Sequence, residues 1–202
     1  MIILVSMRTV ENPTYAETRD AISHDWSRLF ASHGLTPILV PNALGDVGTF
    51  FKLGASGLLL SGGDDLGSDD APSLRDRTEA QLLQGALEKG LPVFGTCRGL
   101  HLINRFFGGQ LARKLPENHV GEHGVELEGR GQVLINSFHH QGVLRDGLAS
   151  ELTPFATTQS GVVEGVMHKT LPITAIQWHP ERPNPAADLD RQLLQKWFAQ
   201  CG

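Results

Sequence analysis

Four short apolar runs recur down the first half of the chain: "IILVS" (2–6), "PILV" (37–40), "GLLL" (57–60) and "LPVF" (91–94). Each is too short for a helix and apolar on both alternating sets of positions, so each reads as a strand buried on both faces. Such strands belong to a parallel sheet covered by helices. The intervening segments supply the helices. Between Tyr15 and His33, Ala21, Ile22, Trp26, Leu29 and Phe30 recur at helical spacing, and Gly34 provides a stop. Ser73 can cap the stretch from Leu74, whose charges are mixed along one face and which ends at Gly90. "RGLHLINRFF" is closed by Gly108 and Gly109, and "PAADLDRQLLQKWFAQ" forms a last helix.

Between about residues 119 and 170 the texture changes. "HGVELEG", "GQVLINS", "ELTPFATT" and "GVVEGVMH" are short, strand-like and separated by glycine-rich breaks, with no helix among them. "PITAIQWHPE" then returns to the buried-strand pattern. The expected architecture is α/β: one domain over 1–202, a three-layer sandwich with a mostly parallel central sheet and a small antiparallel excursion. In such sheets reactive groups gather at the carboxyl ends of the strands. "SGGDD", "GTCRG" and "QWHPE" all fall there.

Composition narrows the function. A net charge of -5 with scattered basic residues gives no stripe for nucleic acid or an anionic membrane surface. The two cysteines make no disulfide framework and point to a reducing compartment. No run approaches the ~20 apolar residues of a membrane span, and the amino terminus lacks the pattern of a secretory signal. A cytoplasmic protein acting on a small molecule is the expectation.

Gly95-Thr96-Cys97-Arg98-Gly99 has the spacing of a nucleophile elbow, with cysteine at the reactive position. A lone cysteine is often just a small buried hydrophobe. Flanking glycines at a strand–helix junction favour the nucleophile instead, because the helix amino terminus stabilises a thiolate. In "QWHPE", strand alternation puts Gln177, His179 and Glu181 on one face, so Glu181 can orient the imidazole of a general base at His179. The Gly-Gly turn of "SGGDD" can offer backbone N–H groups to an oxyanion. Nine histidines invite a metal site, yet neither His-Glu-x-x-His nor paired Cys-x-x-Cys is present, and His139 and His140 cannot face one point on a strand. No metal or cofactor is expected, and "DDLGSDD" reads as a solvated loop with a helix cap.

"GTCRGLHLIN", "INSFHHQ" and "QWHPE", in that order, resemble the class I glutamine amidotransferase-like superfamily, and within it the γ-glutamyl hydrolase branch (peptidase C26). The resemblance implies a flavodoxin-like sheet. It implies Cys97 as nucleophile, His179 as general base and then acid, and Glu181 as its orienter. Gly63 and Arg98 would donate backbone N–H groups to the oxyanion. Ser137, Phe138, His139 and Gln141 would hold the glutamyl group, partly through backbone. One departure concerns the position where many amidotransferases carry a glutamine that contacts this group: here it is His101.

The amino-terminal pattern of Arg8, which follows the first strand, and of Tyr15, Arg19 and Asp25, on or near the start of the first helix, is similar to short γ-glutamyl hydrolases of capsule pathways. Those cleave γ-glutamyl-CDP-amidate to glutamate and cytidine diphosphoramidate. Arg8, Tyr15 and Arg19 would then meet the amine leaving group, arginines suiting a diphosphate. The alternatives are a γ-glutamyl-γ-aminobutyrate-type hydrolase, a glutaminase subunit that passes ammonia to a synthase, and a catalytically silent binding module.

Overall fold

The computed structural model describes residues 1–68 and 70–202. Its strands are β1 (Ile2–Ser6), β2 (Arg8–Glu11), β3 (Thr18–Ala21), β4 (Thr36–Val40), β5 (Gly57–Leu60), β6 (Val93–Thr96), β7 (His119–Leu127), β8 (Gly131–His139), β9 (Val143–Leu144), β10 (Leu152–Thr157), β11 (Val162–His168) and β12 (Ile173–Ile176). Its helices are α1 (His24–Ser32), α2 (Leu74–Glu88), α3 (Arg98–Phe106) and α4 (Ala187–Cys201). The four apolar runs become β4, β1, β5 and β6, which lie side by side and parallel, with β12 parallel to β6. The excursion is antiparallel as expected, and it extends the same sheet in the order β11-β10-β7-β8.

Strand alternation divides the core in two. Leu4, Leu58 and Leu60 pack with Leu82, Leu83, Leu100 and Ile103 of α2 and α3. Ile3, Val5, Leu59 and Phe94 point the other way, onto Trp26 and Phe30 of α1 and Leu194 and Trp197 of α4. Helices therefore cover both faces of the parallel half. The second cysteine, Cys201, ends α4 in that core, where burial pushes its thiol up to about 11.

Two sequence expectations need correction. The helix read from Tyr15 begins only at His24, capped by the Ser23 hydroxyl, which accepts from the Asp25 amide at 3.1 Å. Residues Thr18–Ala21 pair instead with Arg8–Glu11 in a hairpin. Ala21 and Ile22 fall in step with Trp26 by spacing alone, while the cross-strand ladder satisfies the backbone that a helix would have used. Tyr15 and Arg19 thus belong to a hairpin. Likewise β12 stops at Ile176, so "QWHPE" is the bend beyond the strand. Among the described residues, no helix is long and apolar enough to cross a membrane.

Candidate active site

The carboxyl ends of β5, β6 and β12 meet at Cys97. This residue has φ 52°, a left-handed conformation found at no other non-glycine among the described residues. It is held there from both sides: its N–H donates to Ile176 at 2.8 Å, and its carbonyl accepts from the Leu100 amide at 2.9 Å as α3 begins. The glycines of the elbow are required by contact. A Cβ on Gly99 would lie 2.4 Å from the Leu60 carbonyl oxygen, and one on Gly95 would meet Ile103 at 2.7 Å. The strained turn is therefore clamped between the next strand and its own helix, which lifts the thiol to the strand end.

Past β12 the chain keeps alternating although it is no longer paired. Trp178 turns into the core and donates from Nε1 to Asp190 at 2.6 Å. Gln177, His179 and Glu181 turn to the site. Gln177 Nε2 lies 3.6 Å from Cys97 Sγ, and His179 Nδ1 donates to Glu181 at 2.7 Å. That bond leaves the other ring nitrogen free for Cys97, which lies beside His179 under Gly62. Burial works against a charge on His179, but the neighbouring Cys97 sulfur and the carboxylate of Glu181 outweigh it and raise the imidazole to about 9. Asn136 fixes the bend. Its amide donates to the His179 carbonyl and accepts from the His179 N–H, both at 2.9 Å, and donates to Pro183 at 3.0 Å.

The Gly-Gly turn closes the third side. A Cβ on Gly62 would meet His179 Cε1 at 2.8 Å and Cys97 Cβ at 3.4 Å, so this residue lies directly over both. Buried Arg75 donates to the Ser61 and Gly62 carbonyls at 2.8 and 3.1 Å. In a trans peptide the N–H points opposite its carbonyl, so the amide of Gly63 is turned away from Arg75. Arg75 also pairs with Asp64 at 2.5 Å and Glu79 at 2.8 Å, and the Arg98 guanidinium pairs with Asp76 and Glu79. The charges of α2 are thus not a solvated face but half of a buried ion network under the turn. "DDLGSDD" is not simply solvated either: Asp64 holds Arg75, Asp65 accepts from Gln141 at 3.0 Å, and Asp69 lies outside the described residues.

The remaining expected residues divide. His101 is buried one turn into α3; burial and the nearby His139 hold it down to about 3, so it is neutral. Phe138 stands edge-on to His179 with ring centroids 5.4 Å apart, and the Arg182 guanidinium lies over the Phe138 ring, 4.4 Å from its centroid. Ser137 and His139 alternate to the opposite face. The Ser137 hydroxyl donates to the His119 carbonyl, and His139 Nδ1 donates to the Gln141 carbonyl at 2.8 Å. Only the backbone of those two residues is left to face the triad side. Arg8 lines a narrow cleft with Gly62, Gly63, His179, Glu181 and Arg182. Tyr15 and Arg19 do not line it: they are exposed and bonded to each other at 2.7 Å. Sequence reasoning missed Arg75, Asn136 and Arg182 as site residues. It also missed a second cluster, His119, His123, His139 and Glu164, whose donor atoms all lie within 4.8 Å of one another.

Comparisons with known proteins bear on the family and the fold. The family model for class-I glutamine amidotransferases matches residues 16–200. The γ-glutamyl-CDP-amidate hydrolase of Campylobacter jejuni is 30% identical over 206 residues, covering 98% of each chain. The γ-glutamyl-γ-aminobutyrate hydrolase of Escherichia coli is 27% identical over 208 residues, covering 83% of this chain and 81% of its own. The crystal structure of a glutamine amidotransferase from Thermotoga maritima superposes with a TM-score of 0.68 at 14% identity, covering 98% of this chain and 80% of that one.

Proposed function

The chain belongs to the class I glutamine amidotransferase family, and from that premise we propose that it hydrolyses the γ-glutamyl amide bond of a small conjugate through a Cys97–His179–Glu181 triad. The observation that carries this reading is His179, bonded to Glu181 at 2.7 Å and set beside a cysteine held on a left-handed turn, with Gly62 lying over both. Cys97 Sγ, its proton already resting on His179, attacks the γ-carbonyl carbon, and the carbonyl oxygen becomes an oxyanion. The amides of Gly63 and Arg98 receive it. In support, Arg75 draws the turn's carbonyls to the far side, and the Arg98 side chain is occupied by Asp76 and Glu79, which leaves its backbone for this role. The C–N bond then breaks, His179 protonates the departing nitrogen, and a γ-glutamyl thioester remains on Cys97. Water, giving a proton to His179, releases glutamate and regenerates the thiolate. Neutral His101, Gln141 and the backbone of Ser137–His139 surround the glutamyl side.

On the amine side Arg8 and Arg182 suit an anionic leaving group, and the Campylobacter relative is named for γ-glutamyl-CDP-amidate. We take that conjugate as the substrate, with glutamate and cytidine diphosphoramidate as products. Glutamate release by purified protein from γ-glutamyl-CDP-amidate, γ-glutamyl-γ-aminobutyrate and glutamine tests the assignment. The expected result is a preference of at least about tenfold for the nucleotide conjugate without any partner, the size of one charge-assisted contact. Equal rates, or glutamine cleavage that needs a synthase, would overturn it.

A further inference from the structure

The hairpin of β7 and β8 is poorly attached to the rest of the sheet. It pairs with β10 only through Glu126 and Leu127, at the end remote from the active site. At the other end, where His119 pairs with His139, it carries Phe138 against His179. What faces the sheet at that end is a group of three imidazoles gathered round one carboxylate. Glu164 reaches in from β11 and places one oxygen 3.1 Å from His119 Nδ1, 3.5 Å from His123 Nε2 and 3.4 Å from His139 Nε2.

These contacts are close but none is a hydrogen bond. Both oxygens of Glu164, both ring nitrogens of His119 and of His123, and Nε2 of His139 are buried without a partner. A proton on one ring could serve one contact if the N–H pointed along it, and none of the three has that alignment. A cation at the centre would serve them all. Four ligands about 2.0–2.1 Å from zinc stand about 3.3 Å apart at the edges of a tetrahedron, which the three separations from Glu164 already match. The widest donor separation, 4.8 Å, closes by side-chain rotation. The outer contacts fit as well. His139 Nδ1 donates to the Gln141 carbonyl, which leaves Nε2 unprotonated and aimed inward, as a ligating imidazole requires. His119 Nε2 has the Glu117 carboxylate 3.9 Å away on its outer side.

We propose that His119, His123, His139 and Glu164 bind one zinc ion in a closed four-coordinate site. Three imidazoles and a carboxylate suit a borderline transition metal, and with no position left for water the site is structural. It fastens the active-site end of the β7–β8 hairpin to β11, adding to the hydrogen bonds by which Asn136 holds the His179 bend. The proposal does not depend on which substrate is cleaved.

The test titrates zinc and, as a spectroscopic probe, cobalt(II) into metal-stripped Cys97→Ala protein, so that the elbow offers no sulfur ligand. The expected result is one equivalent per chain, the visible bands of four-coordinate cobalt without sulfur charge transfer, and a melting temperature raised by zinc. Glu164→Gln and His123→Asn, the latter at the least buried of the four positions, should each weaken zinc by more than about 100-fold, beyond the loss typical of an outer-shell partner. Having both keeps the test decisive if one fails to fold, as circular dichroism would show. Failure to take up metal, six-coordinate cobalt, or unchanged affinity in the folded variants would each overturn the assignment.

Discussion

On the acyl side of the cleft, Cys97, Gln177 and His179 are buried, and each segment that carries them is tied to another by Asn136, Arg75 or the elbow glycines. On the amine side, Arg8, Tyr15 and Arg19 stand on a two-stranded hairpin that is exposed over most of its length. That hairpin is anchored at its base, where Asp64 accepts from the Thr9 amide and Asp20 accepts from Asn42. Under the proposed function, the contrast separates chemistry from selectivity. Attack and proton transfer need groups held to a fraction of an ångström, so they sit on the interlocked strand ends. A leaving group can be chosen by a peripheral element that varies without disturbing the catalytic geometry.

The contrast can be broken from either side. Gly62→Ala should do most damage, because its Cβ would collide with His179 while folding is left nearly intact. We expect about a 10²-fold loss of kcat/KM on every substrate, with circular dichroism unchanged. Arg8→Ala should act on the amine side alone: a roughly ten- to hundredfold rise in KM for γ-glutamyl-CDP-amidate and little change for glutamine. A uniform loss would mean that the hairpin takes part in chemistry. The pH profile comes next. With His179 raised to about 9, the imidazolium that protonates the departing nitrogen persists until then, so activity should fall about tenfold per pH unit beyond it. The sign for stability is the same. The interactions that raise His179 contribute fully below its unfolded value of about 6.5 and are lost as pH rises through about 9. Thermal melts across that range check this. Arg19→Ala, whose side chain is already taken up by Tyr15 and Glu17 on the exposed face, should change any rate by less than about twofold.

The same division governs what could be read from the sequence. The parallel strands were legible because burial on both faces leaves an unbroken apolar run. The elbow was legible because its glycines answer to contacts with Leu60 and Ile103 that any such turn must make. His179 and Glu181 were legible through alternation that outlasts the strand itself. Tyr15 and Arg19 were misplaced because the spacing of Ala21, Ile22 and Trp26 mimics a helix that cross-strand pairing overrides. The buried ion network of α2 could not be read because its partner, Arg98, is distant in sequence and arrives only on folding. The histidine cluster was hidden for the same reason. His119 and His123 share a strand face, but His139 joins them by hairpin register and Glu164 by sheet order, neither of which is written locally.

The central claim is that Cys97 carries the glutamyl group during turnover. Acid-quenching the protein during hydrolysis of a γ-glutamyl amide, then mapping its peptides by mass spectrometry, tests this directly. The account predicts a γ-glutamyl thioester on the peptide containing Cys97, none on Cys201, and neither adduct nor glutamate release in Cys97→Ala. Glutamate release that continues in Cys97→Ala, or an adduct on another residue, would contradict it.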